Sequence, residues 1–135
     1  MDNQVRVQIE QFLQSSAYAV AGASANRAKF GNKVLRCYLQ HNKTVYPLNP
    51  NEASVEGLNC IANISDLPSE VQSLSVVTPP AITEKIVEQA ITHGIKNIWL
   101  QPGAESEAAI SKGKEHGINI IAGGPCILAY LGFHE

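Results

Sequence analysis

Apolar residues gather into five short runs along the chain: Ala17–Ala21, Thr44–Leu48, Leu74–Val77, Asn97–Leu100 and Ile118–Ala122. Val, Ile, Tyr and Trp dominate them with little polar alternation, as in strands covered on both faces of a parallel sheet. Between the runs the spacing turns helical. Val34, Leu35, Tyr38 and Leu39 form one stripe, and Ile82, Ile86, Val87, Ala90 and Ile91 form another. Ala108, Ala109 and Ile110 mark a weaker helix between Glu105 and His116. Ahead of the first run, Val5, Ile9, Phe12 and Leu13 predict an N-terminal helix at about 3–14 that packs on the sheet. Val55 to Pro68 reads as an irregular crossover with a short helix, and Pro125 to Phe133 as a closing helical turn.

The runs end at residues 21, 48, 77, 100 and 122, so each strand-plus-helix unit takes 22 to 29 residues. That length suits right-handed βαβ crossovers and is too long for hairpins. The expected fold is α/β: a Rossmann-like, doubly wound, parallel five-stranded sheet with helices on both faces. At 135 residues, 44% apolar and 16% charged, the chain is read as a single domain over 1–135 with a buried core. The net charge of −2 gives no global attraction to nucleic acid. The N-terminus has no basic-then-apolar signal, and no apolar run approaches a bilayer span. A cytoplasmic protein without membrane contact is expected. Three cysteines without a C-x-x-C pair argue against a disulfide framework and a zinc site.

His41-Asn42, His93-Gly94 and His116-Gly117 each fall between a helix and the next strand. Asn or Gly there supplies a left-handed cap, and a basic neighbour complements the helix dipole. These histidines are therefore read as structural, and His134 as terminal. No catalytic residue and no metal site are expected.

Ligands of an open parallel sheet bind beyond the carboxyl ends of its strands. In this chain those ends carry Gly22-Ala23-Ser24-Ala25-Asn26-Arg27, Asn49-Pro50-Asn51, Thr78-Pro79-Pro80, Gln101-Pro102-Gly103 and Gly123-Gly124-Pro125-Cys126. Gly22 allows a tight turn, and small residues after it let a phosphate approach the backbone at a helix N-terminus. No Asp or Glu occurs from Gln11 to Asn51, whereas Arg27, Lys29, Lys33, Arg36 and Lys43 all lie there. An anionic ligand is implied. Ser24 and Arg27 stand where a dinucleotide fingerprint has its second and third glycines, and no carboxylate follows the second strand until Glu52. A nicotinamide-dependent regulator or oxidoreductase is accordingly the less favoured reading.

Val20-Ala21-Gly22-Ala23-Ser24, Val45-Tyr46-Pro47-Leu48-Asn49-Pro50, Leu67-Pro68 and Ile98-Trp99-Leu100-Gln101-Pro102-Gly103-Ala104 together resemble the small stand-alone CoA-binding domain proteins. Their fold is similar to the nucleotide-binding domain of the succinyl-CoA synthetase alpha subunit. The resemblance implies coenzyme A or an acyl-CoA as ligand. It places Gly22, Ala23, Ser24 and Arg27 at the pyrophosphate, Asn49 and Pro50 by the adenosine, and Thr78, Pro79 and Ile82 along the pantetheine arm, with Gln101 and Gly103 further along the edge. This chain has Asn51 where a Lys is common in the family, which leaves Lys29, Lys33 and Lys43 as candidates for the 3′-phosphate. It has Gly123-Gly124-Pro125 where polar or acidic residues usually precede Cys126. Cys126 itself has two readings: a small packing residue, or a thiol able to form a mixed disulfide with CoA. The function expected is a non-catalytic or regulatory CoA-binding protein. The alternative is a CoA-handling subunit that completes an active site with a partner chain. A homodimer surface is looked for at Trp99 and the N-terminal helix.

Overall fold

The computed structural model describes residues 2–135. Five parallel strands, β1 (Ala17–Ala21), β2 (Val45–Leu48), β5 (Val71–Val76), β6 (Asn97–Leu100) and β7 (Asn119–Ile121), form one sheet in the order β2-β1-β5-β6-β7. β1 pairs in register with β2 on one side and β5 on the other. Side chains alternate between two cores, as the two-residue period of a strand requires. Ala19, Ala21, Leu74, Val76, Ile98 and Leu100 meet Val87 and Ala90 of α3 (Pro80–His93) and Ala109 of α4 (Glu107–Glu115). Tyr18, Val20, Trp99 and Ile121 meet the opposite layer. That layer supplies Ile9 and Phe12 of α1 (Asn3–Phe12), Val34, Leu35 and Tyr38 of α2 (Phe30–Gln40), and Ile127 of α5 (Ile127–Leu131). The doubly wound sheet with helices on both faces is thus the observed fold.

α1 starts where the Asp2 carboxylate accepts the Gln4 N–H at 2.7 Å, and it stops two residues short of the expected end. Its Gln8 donates to the Ile120 carbonyl, and Asn119 donates back to the Gln8 carbonyl, which ties the helix to β7. Trp99 is fully buried, edge-on to Phe12 at 5.4 Å, and its indole N–H donates to Pro125 O. The expectation of Trp99 on a dimer surface is therefore corrected: the indole needs an apolar slot with one acceptor, and the sheet provides it inside.

β5 begins three residues earlier than expected, because Gln72 and Ser73 interrupt the apolar pattern. Ser73 is nevertheless buried, its hydroxyl donating to Phe12 O, while Ser75 shares a hydrogen bond with the Tyr38 hydroxyl. The crossover after β2 contains a tight hairpin, β3 (Ser54–Val55) and β4 (Leu58–Asn59), as well as the short helical turn Ile64–Asp66. Beyond the hairpin, Ile61 exchanges backbone bonds with Pro47 and Asn49, so the edge strand β2 is covered where Pro47 has no N–H to offer.

Asn42, Gly94 and Gly117 take positive φ after α2, α3 and α4. The adjacent histidine rings lie at carbonyls: His41 at Gly132 O, His93 at Leu67 O and His116 at Lys112 O. Among the described residues no group of three His, Cys, Asp or Glu side chains could hold a metal ion. No helix among them is long and apolar enough to cross a membrane.

Candidate functional site

The chain leaves β1 for β2 on one side and later returns to place β5 on the other, so the strand order reverses between β1 and β5. At such a switch point the two outgoing loops diverge and open a crevice. Gly22 leaves β1 at φ 91°, and a Cβ there would stand 2.8 Å from Val77 O on the loop leaving β5. Gly31, in the first turn of α2, approaches closer still: a Cβ would stand 2.1 Å from Gly22 O. The third glycine of a dinucleotide turn allows helix and strand backbones to touch. Here Gly31 performs that role, four residues beyond the position compared in the sequence. A glycine with a helical neighbourhood was the only signal that could have found it.

Between these glycines the loop is held by short bonds of its own. Asn26 N–H donates to the Ser24 hydroxyl, Ala28 N–H to the Asn26 side chain and Lys29 N–H to Asn26 O. α2 then begins with no side-chain cap, and its first amide with a backbone acceptor is Lys33 N–H, bonded to Lys29 O at 3.2 Å. The N–H groups of Phe30, Gly31 and Asn32 are left as donors at the positive end of the helix. From the β2 side Asn49 donates to Ala23 O at 2.6 Å and accepts the Asn51 N–H, bracing the two loops together.

A cavity of about 470 Å³ opens on Phe30 and Gly31, at the start of α2. Of the residues singled out in the sequence, it brings together Gly22, Ala23, Ser24, Lys29, Asn49, Thr78 and Pro79. Asn51 and Glu52 line it too, so a carboxylate does reach the end of β2 although it lies outside the fingerprint position. A second cavity, about 590 Å³, shares Phe30, Val77, Thr78 and Pro79 with the first and continues past Pro102, Gly103 and Ala104 to Cys126. The two adjoin along the four shared residues as one groove, more polar at the helix end and more apolar at the thiol end. Thr78 is fixed by its hydroxyl contact with Thr83 at 2.8 Å, and Pro79 and Pro80 present no N–H to the apolar stretch.

Four residues expected at the ligand lie outside the lining of these two cavities. Arg27 points outward, its side chain 64% exposed and paired with Glu56 at 3.4 Å. Pro50 and Ile82 are exposed outside the lining of both cavities. Gln101 is fully buried, and its Oε1 accepts the Ile127 N–H, so it braces α5 beneath the edge. The basic cluster also divides. Lys33 pairs with Glu135, Arg36 is buried, and Lys43 sits over the Tyr18 ring. Lys29 alone of the five bases lines the groove. Of the thiols, Cys126 faces the groove, whereas burial and the nearby Cys126 push the Cys37 thiol up to about 11.

The family described as "CoA binding domain" matches residues 16–131. Acetate–CoA ligase [ADP-forming] II of Archaeoglobus fulgidus is 30% identical over 76% of this chain, and the ADP-forming acetate–CoA ligase II alpha subunit of Pyrococcus furiosus is 25% identical over 67%. The chain spans only 17% and 20% of those two relatives. A solved structure, a hypothetical protein from Pyrococcus horikoshii OT3, superposes with a TM-score of 0.86 at 30% identity, covering 93% of this chain and 87% of that one. With a crevice at the strand reversal, a glycine-packed loop feeding an uncapped helix, and a family match over nearly the whole length, the chain belongs to the CoA binding domain family.

Proposed function

We propose that the chain binds coenzyme A or an acyl-CoA in this groove, in the cytoplasm, as a binding protein without catalytic chemistry of its own. The observation that carries the reading is the continuity of the two cavities through Phe30, Val77, Thr78 and Pro79. CoA is a molecule of matching polarity, with a charged diphosphate at one end of a flexible arm and a thiol at the other. The free amides of Phe30 and Gly31 at the start of α2, the Ser24 hydroxyl and Lys29 fit the diphosphate. Gly22 fits it as well, since its lack of a side chain keeps the cradle open and lets the loop pass Val77 O. The proline-rich stretch suits the pantetheine arm because it leaves few donors unsatisfied.

The likeness to two ADP-forming ligases, each several times longer than this chain, favours a second reading: a CoA-handling subunit whose active site is completed by a partner chain. A homodimer remains the alternative assembly, and a nicotinamide-nucleotide regulator a third reading. Thermal-shift titration with CoA, dephospho-CoA, NAD and NADP separates the ligands. Ligand at about 100 Kd adds ~2.7 kcal/mol, a readily measured rise in Tm. A response to CoA is expected; a response to NAD alone would overturn the proposal. Copurification of a second chain, followed by acyl-CoA formation only in its presence, would select the subunit reading.

A further inference from the structure

Beneath the glycine loop two residues of α2, one turn apart, are almost dry: Asn32 is fully buried and Arg36 is 6% exposed. The Asn32 amide donates to Ser24 O at 2.8 Å and to the Glu56 carboxylate at 3.1 Å, and its oxygen accepts Arg36 Nε at 2.6 Å. Arg36 Nη2 continues to Arg27 O at 2.9 Å. Two carbonyls of the same loop, three residues apart, are thus tied to one helix through a single buried relay. Arg36 is also contacted by Phe133 and Glu135. The Phe133 ring lies 5.1 Å from the guanidinium carbon, and the Glu135 carboxylate lies 3.8 Å from Nη2. The segment carrying them is docked on α2 by reciprocal bonds between Gln40 and the His134 backbone, and by His41 at Gly132 O.

We propose that Arg36 and Asn32 are positioning residues for the anion cradle, and that the C-terminal segment Phe133–Glu135 sets their grip. The proposal rests on the CoA reading for its ligand and on these contacts for its geometry. In a trans peptide the N–H points opposite to the C=O. Drawing Ser24 O down to Asn32 therefore turns the Ala25 N–H away from the relay, where it makes no hydrogen bond among the described residues. Only an amide side chain at position 32 serves all three neighbours, since it donates to a carbonyl and a carboxylate while accepting from a guanidinium. A guanidinium is equally specific at position 36, because a lysine ammonium lacks the planar fork that reaches Asn32 and Arg27 O together. Neither residue lines the groove, so neither is a ligand contact.

The test compares Arg36→Met, Arg36→Lys, Asn32→Leu and Phe133→Ala by amide hydrogen exchange and by CoA titration. Faster exchange confined to amides 24–29 is expected in each, with CoA Kd raised about tenfold or more in Arg36→Met and Asn32→Leu. Phe133→Ala should weaken binding in the native background and add nothing in Arg36→Met, because both act through one contact. Loop exchange identical to wild type, exchange raised evenly over the whole fold, or additive effects in the double variant would each overturn the proposal. Should Arg36→Met not fold, Arg36→Lys and Phe133→Ala decide it by the same exchange readout. Should wild-type protein not bind CoA, the CoA reading fails, and loop exchange alone decides the positioning role.

Discussion

Lys29 and Arg27 lie two residues apart in one loop, yet the fold turns them to different partners. Arg27 is largely exposed and lies outside the groove, where its pairing with Glu56 is worth ~0–1 kcal/mol, so Arg27→Ala should change CoA affinity by less than about fivefold. Lys29 lines the polar cavity, and a charge-assisted contact of ~1.5–3 kcal/mol gives Lys29→Ala a loss of about ten- to a hundredfold by calorimetry. The reverse ranking would mean that Arg27 leaves Glu56 to meet the ligand. Glu52 lines the same cavity with a negative charge. Next to a ribose bearing a 3′-phosphate it repels, whereas a ribose with free hydroxyls can donate to it. Glu52→Gln should therefore raise the ratio of CoA to dephospho-CoA affinity, roughly three- to tenfold for charges at partly solvated distances. An unchanged ratio would place the ribose away from β2.

At the scale of elements, the join between β1 and α2 depends on Gly31. Gly→Ala inside a helix ordinarily stabilises by ~0.5–1 kcal/mol through propensity alone. At Gly31 the added carbon would stand 2.1 Å from the Gly22 carbonyl, so α2 would have to move off the loop. Gly31→Ala should thus destabilise in urea titration, by ~1–3 kcal/mol as overpacking does, and abolish CoA binding. A more stable variant would show that helix and loop do not abut. The same join explains how much was legible beforehand. Strands buried on both faces announce themselves as apolar runs, and Ala17–Ala21 and Asn97–Leu100 form as expected. The front of β5 stayed hidden because Gln72 and Ser73 interrupt the apolar pattern although Ser73 satisfies its hydroxyl inside the core, and β3 and β4 are too short to show a period. Leu39 and Ile82, counted in apolar stripes, are 37% and 43% exposed at stripe margins. Glycine and proline marked the edge of the sheet where the groove opens, since turn chemistry is local. Which side chains face the groove depends on contacts across the fold, so Gly31 went unrecognised and Gln101, expected along the edge, is buried beneath it.

At the scale of the whole molecule, one ligand must report at both ends of the groove if the groove is continuous. Cys126 lines the more apolar cavity with Pro102, Gly103 and Ala104 and does not line the cavity that holds Ser24 and Lys29, so it is the thiol best placed to test this. Alkylation by iodoacetamide requires the thiolate. Cys37 is buried with its pKa raised to about 11, so it remains a neutral thiol at pH 8 and gains thiolate only as pH rises through that value. In native protein at pH 8, intact-mass and peptide mapping should show label on Cys126 and none on Cys37. CoA should protect Cys126 with the concentration dependence of its own binding. ADP carries only the diphosphate end and should compete for CoA without protecting the thiol. Protection by ADP alone would mean that the polar cavity acts on Cys126 by moving the fold, and no protection by CoA would mean that the arm leaves the groove before Pro102. Either result would separate the two cavities that Phe30, Val77, Thr78 and Pro79 join.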